Sequence, residues 1–221
     1  MSNKTPIYFV PGLGASSKIF ERLQISQDKF ELYYLDWMLP QTKQETIDSY
    51  AKRMCARIKH KNVILIGVSF GGVVVQEMSK LINTRKVIII SSIKSNKELP
   101  KRLKFIKFTK SYKLFPTKIV ADFEAYEKYF FNAFLQKKAA LYKIYMSKRN
   151  PQYLNWAIYN VLNWEQDQSL DNIIHIHGKK DKVFPIKHIK ESIEIDNGTH
   201  AMILTKASSI SKIIEKECCV V

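Results

Sequence analysis

A chain of 221 residues with 46% hydrophobic and 25% charged side chains has the length of one domain rather than two and enough apolar content for a sizeable core. Its 36 basic and 20 acidic residues give a net charge of +16, which favours anionic partners, although the lysines are spread through most of the sequence as on an ordinary solvated surface. No run approaches the ~20 apolar residues of a membrane span, and Cys55, Cys218 and Cys219 fit neither a disulfide framework nor zinc-ligand spacing.

Ile7 to Val10 is a short apolar run cut off by Pro11-Gly12, so it reads as a buried strand meeting a turn. It is too short for the hydrophobic region of a signal peptide, about 7–15 residues, so a soluble, reduced, cytoplasmic protein is expected. Phe30 to Leu35 reads as a second strand. In Thr46 to Lys59 the apolar residues Ile47, Tyr50, Ala51, Met54 and Ile58 recur at three and four, marking an amphipathic helix. Val63 to Val68 is a continuous aliphatic strand, Val73 to Leu81 a helix, and Val87 to Ile90 another strand. Between Ile93 and Trp164 aliphatic strands are missing. Helices are expected there at Pro100–Lys110, Asp122–Gln136, Ala139–Arg149 and Pro151–Asn163. Ile173 to Ile176 and Ser192 to Ile195 restore the strand pattern, and His200 to Lys216 fits a closing helix. Strands apolar on both faces and alternating with helices imply a doubly wound, mainly parallel six-stranded sheet. Residues 94–164 read as a helical lid insertion between core segments 1–93 and 165–221. The final Cys218-Cys219-Val220-Val221 formally fits a prenylation signal, and a short apolar tail explains it equally well.

Gly67-Val68-Ser69-Phe70-Gly71-Gly72 matches G-x-S-x-G, with an aliphatic strand running in and an apolar-faced helix running out. Such a turn strains the central residue, by about 1–3 kcal/mol, and lifts the serine hydroxyl clear of the sheet at a helix N-terminus. Gly67 and Gly71 leave no side chains where strand and helix approach.

With these flanks the chain resembles the α/β-hydrolase family over nearly its whole length, as a short member without room before Ile7 for two further strands. The resemblance implies that Ser69 is a nucleophile. It puts the base at His200, in Asn197-Gly198-Thr199-His200, ahead of His60, His175, His177 and His188. His60 ends a Lys/Arg-rich helix and is expected in solvent. His177-Gly178-Lys179-Lys180-Asp181 with Pro185 resembles the family's H-G-x-x-D-x-x-x-P signature and implies Asp181 as the acid. The preceding strand end, Ser91-Ser92-Ile93, offers no carboxylate. The oxyanion amides would be those of Phe70 and, in Pro11-Gly12-Leu13-Gly14, of Leu13, although Pro11 stands where a histidine is usual. The implied function is cleavage of an ester or thioester through an acyl-enzyme, with no cofactor or metal. Alternatives on the same groups are acyl transfer, carbon–carbon hydrolysis, or binding without turnover. The partner is a small acyl substrate. Lys101, Arg102, Lys104 and Lys107 would favour an anionic one if they do not simply face water. Nucleic-acid and membrane-surface partners are not expected.

Overall fold

The computed structural model describes residues 4–114 and 144–219. Its strands are β1 (Thr5–Val10), β2 (Phe30–Tyr34), β3 (Val63–Val68), β4 (Thr84–Ile90), β5 (Ile173–Gly178) and β6 (Ile193–Ile195). All pair in parallel, in the order β2-β1-β3-β4-β5-β6. The α-helices lying wholly within the described residues are α1 (Ile47–Cys55), α2 (Phe70–Ser79), α3 (Lys101–Thr109), α4 (Pro151–Leu162), α5 (Met202–Thr205) and α6 (Ala207–Cys219). None is long and apolar enough to cross a membrane.

Strand periodicity divides the core between two faces. Tyr8, Val10, Leu65 and Ile89 meet Tyr50 and Met54 of α1, Val74 of α2 and Tyr153 and Trp156 of α4. Ile7, Phe9, Ile64, Ile66 and Ile90 meet Phe20, Met202, Ile210 and Ile214. β3 is buried along its whole length. Each of its large aliphatic side chains contributes about 1.5–3 kcal/mol of transfer free energy.

The strand order positions the site. From β1 the chain steps outward to β2, then crosses back through α1 to β3 and continues through β4, β5 and β6. The connections leaving β1 and β3 therefore run toward opposite faces. Their divergence marks the switch point of the strand order at the carboxyl edge of the sheet, the place where open α/β sheets bind their ligands.

Several expected boundaries shift for local reasons. The helix after β3 begins at Phe70, directly behind Ser69, rather than at Val73. The closing helix expected from His200 is divided, because Lys206 takes φ −127° between α5 and α6. The Asp122–Gln136 helix lies outside the described residues, as do residues 139–143 of the Ala139–Arg149 helix. Residues 146–150 are not helical. The Lys148 amide donates to the Gly14 carbonyl at 2.9 Å and the Ser16 amide to the Tyr145 carbonyl at 3.0 Å, tying this stretch to the loop after β1. Pro151 also disfavours helical backbone at the residue before it. Asn150 instead sits at ψ 126° and caps α4 by accepting from the amides of Gln152 and Tyr153.

Candidate active site

Ser69 joins β3 to α2 at φ 53° and ψ −119°, a region that a side-chain-bearing residue enters only under constraint. The constraint is close packing of the turn. A Cβ on Gly67 would lie 2.3 Å from the Gly71 carbonyl oxygen, and one on Gly71 would lie 2.3 Å from that of Pro11. Gly72 has a similar role that its position in the motif did not signal: its Cβ would lie 2.4 Å from Ser92 Oγ. The Ser69 amide donates to Ile90 at 2.9 Å, carrying the β3–β4 ladder to the turn.

His200 sits in the turn after β6, and Asp181 follows β5. Sheet order brings both to Ser69. His200 Nε2 lies 3.0 Å from Ser69 Oγ, and His200 Nδ1 lies 2.8 Å from Asp181 Oδ2. The other carboxylate oxygen, Oδ1, accepts from the amides of Val183 at 2.7 Å and Phe184 at 2.9 Å. Burial pushes the Asp181 carboxyl up, but hydrogen bonds from His200, Phe184 and Val183, with the attraction of His200, hold it below its ordinary value. An ionised carboxylate can only accept, so Nδ1 of His200 carries the proton and Nε2 presents a lone pair to the serine hydroxyl.

A pair of imidazoles, His175 and His177, stands behind the Asp181 loop. The carbonyl of Phe184 lies 2.8 Å from His177 Nε2 and can only accept, so His177 is protonated there. Its Nδ1 then accepts from His175 Nε2 at 3.0 Å. Phe184 is thereby fixed at its carbonyl, while its amide holds Asp181 and its ring stands edge-on to His200, with centroids 5.6 Å apart. Arg102 of α3 donates to the carbonyls of Lys182 and Val183, tying the same loop from outside. The two remaining histidines lie elsewhere. His60 is half-buried rather than solvated, 2.7 Å from the Tyr8 hydroxyl, and His188 lies in a short turn after Pro185. Among the described residues no group of three or more His, Cys, Asp or Glu side chains is gathered as metal ligands would be.

The buried imidazoles set a pH window for stability. Burial lowers His175 well below 6.5 and lowers His177 as well. The unfolded chain therefore binds more protons than the folded one once pH drops below about 6.5. The contribution is complete above that value and is lost progressively toward the folded-state pKa values. Asp181, whose folded-state pKa is depressed, loses its own contribution only below the ordinary carboxyl range. The melting temperature is expected to fall between about pH 7.5 and about pH 5.5, and to fall less in His175→Gln, which keeps a donor toward His177 without the titration. An equal fall in the variant would remove His175 as its source.

No protein-family model and no curated protein sequence matches the chain. Solved structures do. A bromoperoxidase from Bacillus anthracis superposes with a TM-score of 0.67 at 16% identity, over 97% of this chain and 92% of its own. A lipase-esterase related protein from Clostridium acetobutylicum gives 0.63 at 19% identity, over 96% and 93%. A metagenomic epoxide hydrolase of the α/β hydrolases superfamily gives 0.69 at 9% identity, over 100% and 93%. At these identities the likeness establishes the architecture: the chain has the α/β-hydrolase fold.

Proposed function

We propose that this α/β-hydrolase-fold protein is a serine hydrolase that cleaves an ester or thioester through an acyl-enzyme. One observation carries the reading: the unbroken hydrogen-bonded line from Ser69 Oγ through His200 to Asp181, on a strained turn at the sheet's carboxyl edge. His200 Nε2 takes the hydroxyl proton as Ser69 Oγ attacks the substrate carbonyl carbon, and the carbonyl oxygen becomes an oxyanion held by the amides of Leu13 and Phe70. Collapse breaks the bond to the leaving alkoxide or thiolate, which takes the proton from His200. Water then gives a proton to His200 and attacks the acyl carbon. The second collapse releases the carboxylic acid and returns the proton to Ser69. Asp181 stays ionised throughout and stabilises the imidazolium. These groups account for every proton and charge in the cycle, so no cofactor is called for.

The substrate is a small acyl compound, met in the cytoplasm, and the insertion at 94–164 would serve as its lid. Lys101, Lys104 and Lys107 of α3 give that lid a cationic side suited to an anionic substrate. Arg102 is engaged with carbonyls of the acid's loop.

A fluorophosphonate probe tests the reading, since it captures a serine whose proton is taken by a neighbouring base. A single adduct on Ser69, located by peptide mass spectrometry, is expected. Adducts only at other residues, or none under conditions that label a known serine esterase, would overturn it.

A further inference from the structure

We infer that Trp37 and Ser92 are positioning residues that aim the two oxyanion-binding amides, each by holding the carbonyl on the far side of the same peptide unit. The inference rests on the serine-hydrolase reading and goes beyond it, because neither side chain touches the reacting atoms.

In a trans peptide the C=O and N–H of one unit point in opposite directions, and no cis peptide occurs among the described residues. The amide of Leu13 shares its unit with the Gly12 carbonyl. Trp37, buried just beyond β2, donates its indole Nε1–H to that carbonyl at 2.8 Å, and the Ala15 amide donates to it at 3.0 Å. With both lone pairs of the carbonyl occupied, the Leu13 N–H is turned the other way. The amide of Phe70 shares its unit with the Ser69 carbonyl. Ser92, buried beyond β4, donates its hydroxyl to that carbonyl at 2.7 Å, and the Gly72 amide donates to it at 2.9 Å.

The two units are thus held in the same way, one from β2 and one from β4, on either side of Ser69. A Cβ on Gly12 would lie 3.6 Å from Ser69 Cβ, so the loop carrying Leu13 lies against the serine. Neither amide donates to a protein acceptor among the described residues. Each remains available for an anion. Hydrogen bonding to a carbonyl also polarises the amide on its other side, strengthening it as a donor by about 10–30% per bond. Pro11, which has no side-chain donor of its own, leaves this support to Trp37.

The test uses Trp37→Phe, which removes the indole N–H and keeps an aromatic ring against Phe70 and Tyr153, and Ser92→Ala, which removes one hydroxyl. Three quantities are measured: kcat and KM for a neutral ester, the Ki of a trifluoromethyl ketone that adds to the serine as an oxyanion, and the melting temperature. Each variant is expected to lose roughly tenfold in kcat, less than a whole oxyanion donor is worth. KM should stay within about twofold, and Ki should rise by the same factor as kcat falls. A merely structural role would lower the melting temperature and leave kcat and Ki of the folded fraction unchanged, which would overturn the inference. Should Trp37→Phe fail to fold, Ser92→Ala alone decides it by the same criteria. A wild type that hydrolyses no ester and takes no phosphonate at Ser69 overturns the reading beneath, and the inference with it. An active wild type whose variants keep both kcat and Ki overturns the inference alone.

Discussion

Ser69→Ala and His200→Ala are each expected to reduce kcat for ester hydrolysis by about 10⁴ or more, and the double variant should be little worse than either. Neither residue acts without the other. A serine hydroxyl is a weak nucleophile at neutral pH, and the nearest base to Ser69 Oγ is His200 Nε2, 3.0 Å away. Without the imidazole the proton has nowhere to go as the new bond forms. Without the hydroxyl the imidazole has nothing to activate but water, from the wrong position. Near-equal single losses and a double loss far below their product are the mark of a unit. Thermal stability is expected to hold in Ser69→Ala, since Ser69 is only partly buried, and to fall somewhat in His200→Ala, which takes the donor from the buried Asp181 Oδ2. Full activity in Ser69→Ala, or losses that multiply in the double variant, would show that the two do not act together.

The parts of this arrangement that the sequence disclosed are those in which neighbours along the chain decide the geometry. The continuous apolar runs Ile7–Val10, Val63–Val68 and Val87–Ile90 forecast the centre of the sheet, because a strand covered on both faces has no polar position to spare. Gly67, Ser69 and Gly71 announced the elbow because only glycine fits where a Cβ would meet backbone oxygen at 2.3 Å. Trp37, Ser92 and Phe184 carried no such mark. Trp37 reaches Gly12 across 25 residues and Ser92 reaches Ser69 across 23. Such contacts exist only once β1, β2, β3 and β4 lie side by side, and an isolated Trp or Ser at a strand end gives no periodic signal. The end of the expected Ala139–Arg149 helix departs from the structure for the same reason. Its residues have ordinary helical composition, but hydrogen bonds to Gly14 and Ser16, more than 120 residues earlier in the chain, take their place in a different backbone. The basic neighbours of His60 suggest a solvated side chain, whereas Tyr8 of β1 and Tyr33 of β2 hydrogen-bond to its ring.

Asp181→Asn and Asp181→Ala are expected to separate catalysis from stability at a single position. In the asparagine variant the side-chain oxygen can still accept from the amides of Val183 and Phe184, so the loop and the fold should be kept. The amide nitrogen then faces His200 Nδ1 and can only donate. His200 must present a lone pair at Nδ1, and its proton moves to Nε2, the atom that should receive the proton of Ser69. A loss of about 10⁴ in kcat is expected from the wrong tautomer alone, with little change in melting temperature. Alanine does the reverse in part. It imposes no tautomer on His200, but it leaves two amides without the acceptor that now holds both, and each buried donor so orphaned costs about 1–3 kcal/mol. The alanine variant should therefore be the less stable of the two, and its residual activity per folded molecule should be no lower than that of the asparagine variant. Steady-state kinetics combined with denaturant titration reads both quantities. An asparagine variant with wild-type kcat would move the acid away from Asp181. Equal stability of the two variants would mean that the amides of Val183 and Phe184 find another acceptor once the carboxylate is gone.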